Sequence, residues 1–315
     1  MRVASNSYTE SMLNQFNTLI STEDNLQSEV STGLSVTAPS DNPTAMTDTL
    51  NDLANQAAQT QYSSNISSLQ TTATSVYNAM DSLQNVVSSA DEIATSATSG
   101  TAPQSKLDNY ASQVQQLIQQ AVSLANTKDS VSGQYLFGGT GATSDPFTTT
   151  TDASTGDVTA VTYQGNSAVN QVPIGTNTTV TVDVPGVNTS GSGTRGLFTD
   201  SQSGADLFNH LIALQKDLTS GDTSAITTDS ANLQKDENNL TYQVASNGAV
   251  QTRLNNAATI ATNQGTSLST DITNASGADL VQTMVQLNQA QTSYQAALQS
   301  SAQIMQLSIL NYLPT

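Results

Sequence analysis

The sequence predicts a mainly α-helical protein with an inserted β domain, in which the N- and C-terminal segments form a long antiparallel helical bundle or coiled coil. Three observations support this prediction. Apolar residues recur every three or four positions from Ile66 to Ala97 without a break, which is the heptad seam of a long helix. Strand-like alternation replaces this spacing around Val180. Weaker helical spacing marks both ends of the chain.

The strongest helical segment begins near Ile66 and meets the helix breakers Gly100 and Pro103. A second segment keeps the same rhythm from Leu107 to Ala125, so we expect the two to form an antiparallel helix pair. The seam positions are Ile66, Leu69, Ala73, Val76, Met80, Leu83, Val87, Ala90, Ala94 and Ala97 in the first segment, and Leu107, Ala111, Val114, Ile118, Ala121 and Ala125 in the second.

Beyond Gly133 the chain becomes rich in Thr, Val, Gly and Pro. Val180, Val182 and Val184 alternate with polar residues, which predicts a strand. Pro185-Gly186 predicts a turn at its end. We therefore expect a small β-rich domain over residues 142–200.

Helical spacing returns at Leu207 and breaks at Gly221, and a long segment then starts near Ile226 with polar interruptions such as Asn247. Together with the segments before the β-rich region, these stretches predict a helical bundle domain of residues 43–141 and 201–274.

The terminal segments, residues 1–42 and 275–315, are amphipathic but weakly so. Isolated helices of this kind are marginal in water, so we expect them to form an assembly core that orders when partners cover the apolar stripes. An ordinary intramolecular bundle is the alternative. We place Gln291, Ser301 and Ser308 at intervening seam positions of the last helix. The candidate partner contacts are Met12, Phe16, Leu19, Leu26, Val30, Leu280, Met284, Leu287, Tyr294, Leu298 and Met305.

A short proline-flanked motif separates the first helix from the second. Pro39 stops the first helix, residues 40–42 offer capping oxygens, and Pro43 suits the first turn of the next helix. We therefore predict a hinge formed by Pro39, Ser40, Asp41 and Pro43, although an ordinary interhelix turn would carry the same signature.

Composition excludes several classes of function. With 25 acidic and 7 basic residues, the chain has a net charge of −18 and lacks the basic track that nucleic acids or anionic membranes require. It has no cysteine and one histidine, His210, so we expect no enzyme, no metal site and no cofactor. Residues 1–8 lack the apolar stretch of a signal peptide, which leaves a cytosolic protein or export without a cleaved signal.

Several motifs, in chain order, resemble those of the flagellin superfamily. The segment with Pro39-Ser40-Asp41 and Pro43 is similar to the hook-associated, junction-forming members rather than to filament flagellins. The sequence departs from the pattern at Leu34-Ser35, where a basic pair is usual, and at Asn42, where Asp is common. The matching segments are residues 31–36, 39–43, 124–129, 133–139, 163–166, 207–208 and 306–313.

The resemblance implies a structural subunit of the bacterial flagellum that forms the junction between hook and filament and contributes to motility. It implies contacts with hook-associated protein 1, with flagellin and with further copies of the chain in a ring. It also implies a cytosolic export chaperone and type III export to the flagellum outside the cell. The alternatives are a short filament flagellin or an adhesive, carbohydrate-binding β domain.

Overall fold

The computed structural model describes residues 2–99 and 102–310, with side chains described for residues 10–99 and 102–303. The helices in these residues are α1 (Arg2–Thr32), α2 (Pro43–Thr98), α3 (Gln104–Ala125), α4 (Leu207–Ser220), α5 (Thr223–Ser276) and α6 (Leu280–Leu310). Short strands lie between α3 and α4: β1 (Phe147–Thr151), β2 (Val158–Tyr163), β3 (Val172–Gly175), β4 (Thr178–Val180), β5 (Val187–Asn188), β6 (Thr199–Asp200) and β7 (Ala205–Asp206). This order confirms the predicted fold class.

Local side chains set the ends of the helices. Asn42 Oδ1 accepts a hydrogen bond from the backbone N–H of Ala45 at 3.1 Å and so caps α2. Gly221 ends α4 in the left-handed conformation, with φ of 74°. Asp222 Oδ1 accepts from two backbone N–H groups at 3.0 Å and starts α5. The break predicted at Gly221 is confirmed.

The long seam predicted in α2 forms the core of the structure. All ten of its positions from Ile66 to Ala97 are at most 7% exposed, and the six seam residues of α3 are also buried. α5 lies antiparallel to α2, since Gln70 Nε2 donates to Asn255 Oδ1 at 2.8 Å while Ser230 Oγ donates to Asp91 Oδ1 further along. Unbroken apolar spacing therefore identified the correct face of this helix.

The strands form small, separate sheets. β1 and β2 make an antiparallel hairpin whose turn is held by Asp152 Oδ1, which accepts from the backbone N–H of Ser154 at 2.7 Å. β3 and β4 form a second antiparallel hairpin. β6 lies between β5 and β7, parallel to the first and antiparallel to the second.

The strand predicted through Val184 is wrong beyond Val180. Val182 is buried but lies in an irregular segment. There, Thr181 Oγ1 accepts from the backbone N–H of Asp183 at 3.1 Å, and the Asp183 carboxylate accepts from the N–H of Asn170 at 2.7 Å. These side-chain bonds take the place of a strand ladder, so alternation predicted which residues are buried but not the backbone.

An aromatic cluster joins the strands to the helices. Phe198 stacks on Phe208 of α4 at 5.2 Å between ring centroids and meets Phe147 of β1 at 4.8 Å and Phe137 at 5.5 Å. Tyr163 of β2 lies 4.9 Å from Phe147. The same hydrophobic core includes residues of α2, α3, α4 and α5. The first hairpin and the helices therefore share one core.

The chain divides into two compact units. One consists of Met1–Ala58 with Asn263–Thr315, and the other of Gln59–Thr262. The borders fall inside α2 and α5 rather than at the ends of the predicted segments. The division into terminal helices, a helical bundle and a β-rich domain stays a prediction.

Candidate assembly surface

Two connections between helices hydrogen-bond to each other in the unit of residues 1–58 and 263–315. α1 is followed by Gly33, whose φ of 72° favours glycine and whose carbonyl accepts from the N–H of Ala278 at 2.9 Å. The N–H of Ser35 donates to the carbonyl of Ser276 at 2.8 Å, and Ser35 Oγ donates to the carbonyl of Gly277 at 3.1 Å. The α1–α2 and α5–α6 connections are thus tied together.

From this junction α1 and α6 pack as an antiparallel pair. The ring of Phe16 meets that of Tyr294 edge to face, with 5.9 Å between centroids and 83° between planes. Partly or fully buried positions recur every three or four residues on both helices, as in a coiled coil. They include Met12, Phe16, Leu19, Glu23, Leu26 and Val30 on α1, and Thr283, Leu287, Ala290, Tyr294, Ala297 and Ser301 on α6.

This seam contains no apolar core among the described side chains. In residues 10–32 and 280–303 the fully buried side chains are those of Thr283 and Ser301. Both are polar, and each hydroxyl donates to the carbonyl four residues earlier in the chain. Every buried apolar side chain of the described residues lies instead between Ile66 and Ala261. The helix pair therefore gains little of the burial that normally stabilises a coiled coil.

Further apolar side chains of α1 and α6, here called the exposed stripe, lie outside the seam and are exposed. Val281 is 76% exposed and Val285 is 62% exposed, and on α1 Leu13 is 57% exposed. Exposed apolar side chains that cluster on a helix mark a surface for another protein more often than isolated ones do. Further members are Ile20, Leu280, Met284 and Leu298, each at least 40% exposed.

The structure separates the predicted contacts into two groups. Met12, Phe16, Leu19, Leu26, Val30, Leu287 and Tyr294 lie in the seam between α1 and α6 and are half-buried. Leu280, Met284 and Leu298 lie on the exposed stripe, while the side chain of Met305 falls outside those described. Whether these residues contact partners stays a prediction.

The predicted seam positions of α6 need a correction. Gln291 is exposed, whereas Ser301 is in the seam as predicted, and Ser308 lies outside the described side chains. The seam instead uses Thr283, Ala290 and Ala297, whose small or polar side chains give little hydrophobic signal. The prediction followed the larger apolar residues, some of which lie on the exposed stripe. It did not include Val281 and Val285.

The proline-flanked motif forms a compact turn between α1 and α2. Asp41 Oδ2 accepts from the backbone N–H groups of Thr37 at 3.0 Å and Ala38 at 2.9 Å. These backbone hydrogen bonds lower the pKa of the Asp41 carboxyl. Pro39 and Ser40 occupy the turn and Pro43 is the first residue of α2. Whether the turn acts as a hinge stays a prediction.

His210 and the aromatic residues Phe147 and Phe198 lie outside the α1–α6 pair. No group of three or more His, Asp or Glu side chains in the described parts of the chain is placed to hold a metal ion. His210 is half-buried, with Nδ1 2.7 Å from Asp236 Oδ2. Nor do Phe147 and Phe198 form a sugar-binding platform, because both are buried. Across residues 2–99 and 102–310, no helix is long and apolar enough to cross a bilayer.

Known protein families and structures were compared with this arrangement. Residues 3–142 match the family described as the bacterial flagellin N-terminal helical region, and residues 230–313 match the bacterial flagellin C-terminal helical region. The two matches together span well over half of the chain. None of the curated protein sequences compared with the chain matches it.

Several solved structures that resemble the chain are those of flagellar proteins. A putative flagellar hook-associated protein from Vibrio parahaemolyticus has a TM-score of 0.63 at 19% identity, covering 75% of this chain and 100% of its own. FlgL from Xanthomonas campestris has a TM-score of 0.57 at 16% identity, covering 69% and 98%. Flagellar hook-associated protein 3 from Legionella pneumophila has a TM-score of 0.58 at 13% identity, covering 71% and 97%.

At these identities the structures establish the fold, while the two family matches establish descent. The chain belongs to the flagellin superfamily and has the fold of the hook-associated proteins.

Proposed function

We propose that the chain is a structural subunit of the bacterial flagellum, not an enzyme, and that it forms the junction between hook and filament. One observation carries the proposal. The terminal helices α1 and α6 pair without a buried apolar side chain among those described, while the exposed stripe lies outside their seam. Helices with this character gain stability when neighbouring subunits cover them.

The hook-associated names of the similar structures support the place of this subunit in the flagellum. We propose that hook-associated protein 1 binds on one side and flagellin, or another adaptor, on the other, with copies of the chain between them in a ring. We further propose export to the outside of the cell without a cleaved signal peptide, with a cytosolic export chaperone covering the last helix beforehand.

Immunogold microscopy of isolated flagella tests the location. Antibody against the chain is expected to label a single band at the distal end of the hook. Label along the whole filament would contradict the proposal and favour a short filament flagellin.

A deletion strain tests the role. Loss of the chain is expected to leave intact hooks and to release flagellin monomers into the medium, because filament subunits would have no surface on which to polymerise. If the deletion strain instead made complete filaments, the chain would not form the junction.

A further inference from the structure

Asp129 lies just beyond α3 and has a buried carboxylate that is only half satisfied. The residue is 5% exposed. Its Oδ2 accepts from the backbone N–H of Ser132 at 2.9 Å and from the Ser132 hydroxyl at 2.8 Å, and Thr72 Oγ1 of α2 lies at 3.3 Å. Its Oδ1 is equally buried and has no hydrogen-bond partner. Such an atom in a native protein calls for a bound water or ion.

A cavity of about 40 Å³ lies beside this carboxylate. That is room for one occupant of the size of a water molecule or a bare metal ion. The lining includes oxygen-bearing side chains from three separate segments: Thr72 from α2, Asp129 and Gln134 from the loop after α3, and Asp183 from the irregular segment after β4. The Asp183 carboxylate uses Oδ2 to accept from the N–H of Asn170.

No basic side chain neutralises Asp129. The adjacent Lys128 is exposed and places its Nζ 4.7 Å from the centroid of the Tyr135 ring. Among the described side chains, the one ion pair joins His210 to Asp236 and does not involve Asp129. A buried carboxylate without a counter-charge is strongly unfavourable, and a cation in the cavity would supply the missing charge.

We propose that this cavity binds one hard metal cation of the calcium type, with Asp129 Oδ1 as its principal ligand. The lining side chains offer carboxylate, hydroxyl and amide oxygens but no sulfur or imidazole, which favours calcium over transition metals. Calcium accepts irregular sets of oxygen ligands that include carbonyls and water. The bound ion ties α2, the loop after α3 and the segment around Asp183 together.

Calcium titration of the full-length protein, stripped with a chelator, tests the site. Isothermal titration calorimetry is expected to show one site with a Kd on the order of 0.1–1 mM, the range of extracellular calcium modules. The unfolding temperature is expected to rise by about 3–5 °C at roughly ten times Kd. Choline chloride at the same ionic strength, whose cation is too large for the cavity, is expected to give no such rise.

Two variants locate the effect. Asp129→Asn is expected to weaken calcium binding at least tenfold and, without calcium, to unfold at the same temperature as the unsubstituted protein or higher, because it removes an unpaired charge. Asp81→Asn, on the exposed face of α2, is the matched control and is expected to bind calcium normally. If Asp129→Asn does not fold, Asp183→Asn serves instead, with an expected several-fold loss of affinity.

Absence of calcium binding by the unsubstituted protein would overturn the proposal and leave the cavity to water. An equal rise in unfolding temperature in Asp129→Asn and the unsubstituted protein would also overturn it, because calcium would then bind elsewhere.

Discussion

Asp229 and Asp236 place carboxyl groups in the seam between α5 and α4. Burial, and after it the negative carboxyl of Asp217 on α4, raise the pKa of Asp229 to about 7. Burial also raises the pKa of Asp236, with partial compensation from His210. Burial alone would lower the pKa of His210, but the hydrogen bond and charge of Asp236 raise it. In all three groups the folded state holds its proton more tightly than the unfolded chain.

These groups predict greater stability in mild acid. For Asp229, the folded state binds one more proton than the unfolded chain between pH values of about 4 and about 7, so the free energy of unfolding falls as pH rises through this window. Asp229→Asn is expected to flatten this dependence and to stabilise the protein at pH 8 by about 1 kcal/mol, because it removes a buried unsatisfied charge. Urea unfolding at several pH values measures both effects.

Asp271→Asn, at an exposed position of the same helix, is the control for this experiment and is expected to leave the pH profile unchanged. A profile for Asp229→Asn that matches that of the unsubstituted protein would show that Asp229 does not titrate in this window.

The sequence did not reveal these residues as part of the seam. A search for apolar spacing finds Ile226, Leu233 and Leu240 of α5 and interprets Asp229 as a turn or cap residue. Asp236 is nevertheless 2% exposed, because the N–H of Asp206 and the ring of His210 satisfy its oxygens. Partners supplied by a distant segment of the chain cannot be inferred from local periodicity.

At the scale of whole elements, α2 and α6 show when apolar periodicity is enough to identify the buried face of a helix. Every seam position of α2 from Ile66 to Ala97 is apolar, so one frame dominates and the predicted face is the buried one. In α6, Thr283, Ala297 and Ser301 line the seam while Val281 and Val285 are exposed. Because small and polar side chains occupy much of the α6 seam, apolar spacing alone did not separate the seam from the exposed stripe.

The exposed stripe of α6 gives a prediction at this scale. Val285→Asp is expected to leave the helix content and unfolding of the monomer unchanged, because Val285 is 62% exposed. It is expected to reduce assembly at least tenfold, because a neighbour would bury an unpaired charge. Circular dichroism measures the first effect, and swimming of a complemented deletion strain with sedimentation of the purified protein measures the second.

Ser293→Asp adds the same charge to another exposed position of α6 and is expected to assemble normally. Equal loss of assembly in both variants would show that added charge, rather than the apolar stripe, is responsible.

At the scale of the whole molecule, we assign cooperative folding to the unit that contains the buried apolar core. The buried apolar side chains of the described residues fall between Ile66 and Ala261, inside the unit Gln59–Thr262. Residue spacing predicted the mainly helical fold and the position of the strands in the chain, but not this division, because the borders lie within the continuous helices α2 and α5. No composition change marks a border inside a helix.

Truncation tests this assignment. Removal of residues 1–36, or of residues 279–315, is expected to leave a soluble monomer that unfolds cooperatively within about 5 °C of the full chain, since few core contacts are lost. Neither truncated protein is expected to assemble. Differential scanning calorimetry and size-exclusion chromatography check these outcomes, and a broad, non-cooperative transition would show that the ends are needed for the core.

If neighbouring subunits complete the half-buried seam of α1 and α6, as proposed above, the order of the chain ends depends on subunit concentration. A helix pair whose apolar surface is completed by neighbours has no fixed melting temperature, since its free energy includes the chemical potential of free subunits. In dilute solution we expect the ends to melt well below Gln59–Thr262, and we expect the two transitions to converge as the protein concentration rises. The difference between the two melting temperatures therefore reports the extent of polymerisation and can be measured on the purified protein alone.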